Sequence, residues 1–185
     1  ELTIEGFFKT TSNINRYFMN DSLSGLFHSV GESESYGIDL LLKRKFRTHE
    51  LLLAYSLGKV EERFEQNSNQ EFTQAPQDQR HEIKLAFLFR FKKLKISLNQ
   101  VYGSGFNNSV EGLYFKGREP YSRFDLGMEY DLISRKVDMD LGISVLNLFN
   151  VQNVRLNQFS SFPDGSITYV SGVPFTPSLN LVIRF

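Results

Sequence analysis

The chain ends on Val173 to Phe185, which reads V-P-F-T-P-S-L-N-L-V-I-R-F, and apolar and polar residues alternate along it. The apolar positions of this alternation are Phe175, Leu179, Leu181, Ile183 and Phe185. Only Pro177 and Val182 interrupt the period of two. Because successive side chains of a β-strand point to opposite faces, the pattern predicts a closing strand with one apolar and one polar face.

The same alternation recurs upstream and predicts seven further strands. They are Leu2–Lys9 (fading through Thr10 to Tyr17), about Val30–Phe46, Glu50–Phe64, His81–Phe91, Leu94–Tyr102, Tyr121–Leu132 and Val137–Val145. No window with a helical period of 3.6 competes with them. With the closing strand, about eight strands are therefore present.

Long and short connections alternate strictly between these strands. The long ones are Asn20–Gly25, Gln66–Arg80, Gly103–Glu119 and Val151–Gly172, and the short ones are Arg47–His49, Lys92–Lys93 and Ser134–Arg135. Outer-membrane barrels combine short periplasmic turns with longer external loops. The sequence therefore predicts an all-β fold, an antiparallel up-and-down transmembrane β-barrel whose long loops all lie on the external side.

The composition agrees with this fold and excludes several others. The mean hydropathy is −0.29 and no run of about 18 apolar residues occurs, which excludes a transmembrane helix but not barrel strands. Lys plus Arg equals Asp plus Glu, at 21 each, so charge balance gives no argument for nucleic-acid binding. Cysteine is absent, so no disulfide framework or thiolate chemistry is expected. Phe and Tyr, at 18 and 8 residues, suit interfacial aromatic belts.

The two faces of the predicted strands differ in charge. The apolar faces carry almost none over about five alternate positions, and ten tilted strand residues cover roughly 25 Å, the height of a barrel's apolar band. The opposite faces carry charges that we expect to form a lumenal network. Its predicted members are Lys84, Arg90, Arg123, Asp125, Glu129, Asp131, Asp138 and Asp140.

The acidic members of this network flank one short turn. A cation or proton site is one interpretation of Glu129, Asp131, Asp138 and Asp140. We favour the other interpretation, in which Lys84, Arg90 and Arg123, or a plug, neutralise these carboxylates, because uncompensated like charges this close are costly.

No constellation in the sequence predicts catalysis. The histidines, His28, His49 and His81, stand in different connections without a carboxylate at metal-ligand spacing. There is no G-x-S-x-G elbow and no glycine-rich phosphate loop before a helix. We therefore expect no enzyme activity, cofactor or metal, and we expect recognition to reside in the long loops.

Two motifs give the chain a resemblance to a known family. Asn147-Leu148-Phe149-Asn150 ends the penultimate predicted strand, a long loop follows, and the closing strand comes last. In this order the chain resembles the C-terminal portion of TonB-dependent outer-membrane receptors. Tyr36 to Leu40 and Pro76 to His81 are similar to strand entries of that family.

The resemblance implies that residues 1–185 are one segment, the last strands of a 22-stranded barrel in the bacterial outer membrane. It implies energised uptake of a siderophore, glycan or peptide, with the plug domain absent from this sequence. The implied partners are outer-membrane lipid, the barrel assembly machinery, the rest of the receptor, and the TonB system acting through the plug. A surface lipoprotein is a further candidate partner. Leu179, Leu181, Ile183 and Phe185 resemble the signal that the assembly machinery reads.

Two alternatives stay open at the level of the sequence. One is a complete eight-stranded outer-membrane barrel, a structural anchor or adhesin, in which Leu2–Phe8 pairs with Leu179–Phe185. The other is a soluble lipocalin-like cup that packs its apolar face inward. A start at Glu1 within a strand pattern favours a fragment of a longer chain over the complete small barrel.

Overall fold

The computed structural model describes residues 1–19, 26–65, 71–105, 120–133, 137–153, 160–161, 167–168 and 172–184. These residues contain eleven β-strands and no helix, and hence no helix that could span a membrane. The strands are β1 (Leu2–Met19), β2 (Leu26–Phe46), β3 (His49–Phe64), β4 (Thr73–Gln74), β5 (His81–Phe91), β6 (Leu94–Gly103), β7 (Tyr121–Ile133), β8 (Asp138–Leu146), β9 (Ser160–Ser161), β10 (Ile167–Thr168) and β11 (Thr176–Arg184). The all-β class is confirmed.

One antiparallel sheet holds all the long strands. Its order is β1-β2-β3-β5-β6-β7-β8-β11, the short β4 pairs with β3, and β9 and β10 form a separate two-stranded sheet. The long strands thus pair in chain order, which confirms the predicted antiparallel meander. We call the end with the turns Arg47–Thr48 and Lys92–Lys93 the turn end, and the opposite end the loop end.

The sheet is open. β1 and β11 are its two edges, and within the described residues they make no contact with each other. The pairing of Leu2–Phe8 with Leu179–Phe185, which a complete eight-stranded barrel needs, is therefore not found, and Phe185 itself lies outside the described residues. Closure into a barrel with further strands stays a prediction.

Several boundaries differ from the predicted ones; β2 begins at Leu26 instead of about Val30, and β11 begins at Thr176. β1 continues to Met19, because one extra residue at Asn13 shifts the register between Ser12 and Ile14 and so hides the alternation. Asn13 has a φ of 59°, a left-handed conformation that asparagine tolerates and that β-bulges use. The predicted loop Gln66–Arg80 contains β4.

The register aligns apolar residues across the whole sheet. Phe89, Ile96, Met128, Ile143 and Leu179 form one such row over five strands. Similar rows place apolar side chains on one face of all eight long strands. We call this surface the apolar band; it comprises alternate residues of Leu2–Phe8, Tyr36–Leu42, Leu51–Leu57, Ile83–Phe89, Leu94–Tyr102, Phe124–Leu132, Met139–Val145 and Leu179–Ile183.

Nothing in the described part of the chain covers the apolar band. Ile38 and Ile143, on inner strands of the sheet, are 52% and 49% exposed, and Leu179 on the edge is 72% exposed. Among the described residues only two hydrophobic side chains are buried, Phe64 and Ala75. Both lie at the loop end, so the sheet has no second layer.

The opposite, polar face is lined by glycines over which neighbouring side chains lie flat. The Phe7 ring lies over Gly37, and the Asn180 amide lies over Gly142, where a Cβ on either glycine would collide with them. Small residues therefore let side chains run along the sheet instead of standing away from it.

Candidate functional site at the loop end of the polar face

A short segment folds back onto the polar face at the loop end. We call Thr73–Arg80 the strap. β4 pairs Thr73 and Gln74 with Glu62 and Glu61 of β3, and beyond this pairing the Ala75 N–H donates to the Val60 carbonyl at 3.0 Å. The Gly58 N–H donates to the Arg80 carbonyl at 3.1 Å, just before β5 begins. The strap thus fills the gap in the ladder of β3 between β4 and β5.

Asp78 fixes the strap to β3. Its side chain is fully buried, at 0% exposure, and Oδ1 accepts the Val60 N–H at 2.7 Å. Oδ2 accepts the Gln74 amide and pairs with Arg80 at 3.5 Å. The Asp78 carboxylate thus takes the place of a strand carbonyl as the acceptor for Val60. Such a replacement is needed because a buried N–H requires an acceptor.

A second buried carboxylate, Glu62, lies beside the strap. It pairs with Arg16 of β1 at 2.5 Å and accepts the Gln77 amide at 2.6 Å. Arg16 also lies over the Phe64 ring, 5.1 Å from its centroid. Charge pairing, a cation–π contact and a strap amide therefore meet at one place where β1, β3 and the strap converge.

Asn147 holds the loop end together near the other edge of the sheet, at β8 and β11. It is fully buried, and its Nδ2 donates to the carbonyls of Val151 and Val173, each at 2.9 Å. Its Oδ1 accepts the Val151 N–H at 3.0 Å, and its own N–H donates to Asp125 Oδ1 at 2.9 Å. One side chain therefore joins the end of β8 to the segment that leads into β11, while Asp125 ties both to β7.

The remaining residues of the N-L-F-N motif complete this turn. Asn147 and Asn150 have φ values of 51° and 50°, which asparagine adopts more readily than most residues. Asn150 Oδ1 accepts the Phe175 N–H at 3.0 Å, the Leu148 N–H donates to the Phe124 carbonyl at 2.7 Å, and the Phe149 ring packs against Phe124. The spacing of the motif follows from these contacts.

Asn153 is a functional candidate that the sequence did not single out. It is buried and pairs with the backbone of Ser122 in both directions, with Oδ1 accepting at 2.8 Å and Nδ2 donating at 2.9 Å. Asp78, Glu62 and Asn153 were missed because each has a partner that is distant in the chain: Val60 lies 18 residues from Asp78, Gln77 15 from Glu62 and Ser122 31 from Asn153. For Asp78 and Asn153 the available sequence signal is a short polar residue outside a strand, whereas Glu62 lies within β3 and has no such signal.

The predicted charge network is divided into local pairs on the polar face. Lys95, which was not expected, reaches Glu129 at 2.7 Å and Asp131 at 3.3 Å, and Arg184 pairs with Asp140 at 2.6 Å. Of the expected cations, Lys84 pairs with Glu82 and Arg90 with Glu50, both outside the predicted network, whereas Arg123 pairs with Asp125, which belongs to it. Asp138 stands opposite Arg184 in the register and is exposed.

A cavity of about 370 Å³ opens on the polar face nearby. It lies across the first four long strands, and its polar lining is Thr3, Glu5, Asp39, Ser56, Glu82 and Lys84. In the described part of the chain no group of three or more His, Asp or Glu side chains is placed to hold a metal ion.

Charged side chains border the apolar band at the loop end. Lys59, two residues beyond Leu57 of the band, pairs with Glu61 at 2.7 Å and lies over the Tyr36 ring. Glu32 and Arg63 pair at 2.7 Å one step further out.

The histidines stay apart. His28 bonds Asn15 at 2.7 Å, His81 bonds the Tyr55 hydroxyl at 2.9 Å, and His49 accepts the Arg90 N–H at 3.1 Å. Leu179, Leu181 and Ile183 lie exposed on the apolar band of β11.

Comparison of the chain with protein-family models, with curated proteins and with solved structures finds no match.

Proposed function

We propose that this chain is a wall segment of an outer-membrane β-barrel, the C-terminal strands of a TonB-dependent receptor that imports a siderophore, glycan or peptide. The single observation that carries the proposal is the uncovered apolar band. Removing one such side chain from water is worth about 2 kcal/mol, and folded domains have net stabilities of only about 5–15 kcal/mol. A band eight strands wide therefore needs a cover, and its height of roughly 25 Å fits lipid.

The borders of the band support lipid as the cover. Within the band the facing residues are uncharged, whereas Lys59, Glu61 and Arg63 follow directly on the same face of β3. Tyr36 and Tyr102 stand near this border, where amphipathic rings favour the membrane interface. A protein partner would not require this change from apolar to charged at one level.

The open edges support a segment over a complete small barrel. Unpaired backbone groups are not tolerated in the hydrocarbon region, because each costs several kcal/mol there. β1 and β11 must therefore pair with strands outside the sheet described above, since they do not pair with each other. The assignment to TonB-dependent receptors rests on the N-L-F-N motif and its place between β8 and β11.

The lipid contact is testable with single-tryptophan reporters, because residues 1–185 contain no tryptophan and any tryptophan elsewhere in the complete protein can be replaced. Leu98 faces the apolar band, and its neighbour Asn99 faces the polar side of the same strand, β6. In the complete protein reconstituted into bilayers with brominated acyl chains, Leu98→Trp should be quenched strongly. Asn99→Trp is the matched control and should be quenched little.

Equal quenching of both reporters would contradict a lipid-facing band. Recovery of the native protein in the soluble fraction would favour the cup instead. Receptor function is tested by uptake of a metal chelate, a glycan and a peptide into cells with and without this gene. Uptake that persists after the inner-membrane proton gradient is collapsed would count against energised transport.

Removal of Phe185 tests the predicted assembly signal. We expect the truncated protein to enter the outer membrane more slowly, because Phe185 ends the apolar alternation of the closing strand. Pulse-labelled membrane fractions would measure the rate, with Arg184→Lys as the control. Unchanged assembly kinetics would remove Phe185 from the signal.

A further inference from the structure

We propose that the strap, Thr73–Arg80, is a built-in constriction of the passage and that Asp78 is the residue that holds it closed. The constriction of the passage rests on the proposed barrel, whereas the fixing of the strap by Asp78 does not. The strap belongs to a predicted external loop, yet its Gln77 and Gln79 side chains are directed at the polar face of the sheet.

The direction of the strap follows from its contacts. Gln79 lies against Gly103, and Gln77 reaches Glu62. The register places both Gly103 and Glu62 on the face opposite the apolar band. In a barrel whose apolar band faces lipid, this face is the lumen, so the strap occupies lumen at the loop end.

The strap is held at both ends and in its middle. β4 anchors its start, and the Arg80 carbonyl accepts from Gly58 at its end. The next residue, His81, donates its N–H to Ser104 Oγ at 3.0 Å, and its carbonyl accepts the Ser104 N–H at 2.9 Å. Between these points Asp78 is the buried acceptor on which Val60, Gln74 and Arg80 converge.

Loss of Asp78 should therefore release the strap without removing a strand. Deleting its carboxylate removes the acceptor of the Val60 N–H and of the Gln74 side-chain amide, which favours a locally opened state. Glu62 would then hold the middle of the strap through Gln77, while β4 and the Arg80 carbonyl still anchor its ends. Asp78→Asn keeps one acceptor oxygen and should open the strap less than Asp78→Ala.

Trypsin measures the opening, because Arg80 is the cleavable residue of the strap. The complete protein is purified in detergent, and the fragment beginning at His81 is quantified by mass spectrometry. We expect the native bond to resist cleavage, and Asp78→Ala to be cleaved at least about tenfold faster. Asp78→Asn should fall between them, and Asp138→Ala, an exposed carboxylate at the turn end, should match the native protein.

Retained β-sheet circular dichroism shows that a variant is folded. Two results would show that the proposed closed strap is wrong. Folded Asp78→Ala would resist trypsin as the native protein does, or the native protein would be cleaved after Arg80 as fast as Asp78→Ala. In cells that carry the receptor with its plug deleted, so that the plug does not close the lumen, Asp78→Ala should increase sensitivity to a large hydrophilic antibiotic. Faster cleavage with unchanged sensitivity would overturn the constriction while leaving the proposed receptor function untouched.

Discussion

The two ends of the sheet are held together in different ways. At the loop end, buried polar side chains join segments far apart in the chain, as Asn147 does for β8 and β11 and Asp78 does for the strap. At the turn end, two-residue turns connect neighbouring strands, and the charged side chains form exposed pairs such as Arg184 with Asp140. At the turn end, short turns hold neighbouring strands together, whereas at the loop end buried side chains hold together segments that are distant in the chain.

This difference predicts where the fold is sensitive to substitution. A buried polar group that loses its partner costs the full desolvation of the groups left behind, whereas an exposed ion pair is screened by water. Single substitutions at the loop end should therefore destabilise the protein far more than charge removal at the turn end.

The largest effect is expected for Asn147→Ala. Its buried side chain makes three hydrogen bonds to the backbone of Val151 and Val173, so the free energy of unfolding should fall by about 3 kcal/mol. Urea unfolding would measure the loss, with the exposed Asn99→Ala as the control. Similar midpoints for both variants would show that the turn contributes no more than a surface amide.

Glu62→Gln should come next. The substitution removes the buried partner of Arg16, and because Arg16 is itself about a third exposed, we expect about 2 kcal/mol of destabilisation. The adjacent Glu61→Gln breaks a pair in which the Glu61 side chain is 19% exposed, against 4% for Glu62, and should have a smaller effect. A larger loss in Glu61→Gln than in Glu62→Gln would reverse the proposed ranking.

Gly31→Ala tests packing at the loop end. A Cβ on Gly31 would collide with the Arg63 carbonyl and the Phe64 ring, so about 1.5 kcal/mol should be lost. Gly6 is the control, since the nearest atom to its added Cβ is the Gly37 carbonyl oxygen at 4.0 Å. Thermal unfolding of both variants would decide, and an equal response would contradict close packing at Gly31.

The smallest effect is expected at the turn end. Arg184→Gln removes a pair whose arginine is 61% exposed, and roughly 0.5 kcal/mol should be lost. The loss should shrink further in high salt, because mobile ions screen exposed charges. A loss above that of Glu62→Gln would mean that both ends depend equally on polar side chains.

The sequence predicts the strands well because alternation is a local signal. β5 is found at the predicted His81–Phe91, and the tight turn at Lys92–Lys93 follows it directly. The turn predicted at Ser134–Arg135 and most of the predicted loops Asn20–Gly25, Gly103–Glu119 and Val151–Gly172 lie outside the described residues.

The side-chain partners could not be predicted in the same way. Lys95 and Arg184 pair with Glu129, Asp131 and Asp140 because the register sets their strands side by side, and charge counting along one strand does not show this. Asp125 was assigned to a charge network and does pair with Arg123, but it also accepts the Asn147 N–H. Such contacts depend on tertiary neighbours rather than on local pattern.

Asn13 is one extra residue in β1, and it decides which face of the sheet each later residue of that strand occupies. Up to Ser12 the even-numbered residues of β1 share the face of Tyr36 and Leu40, and beyond the bulge they share the face of Gly31 and Ser29. This one residue brings Arg16 to Glu62 and leaves Tyr17 beside His28 on the other side. Removing Asn13 would move every later residue of β1 to the opposite face of the sheet. The contacts of this strand therefore depend on the number of its residues as well as on their identity.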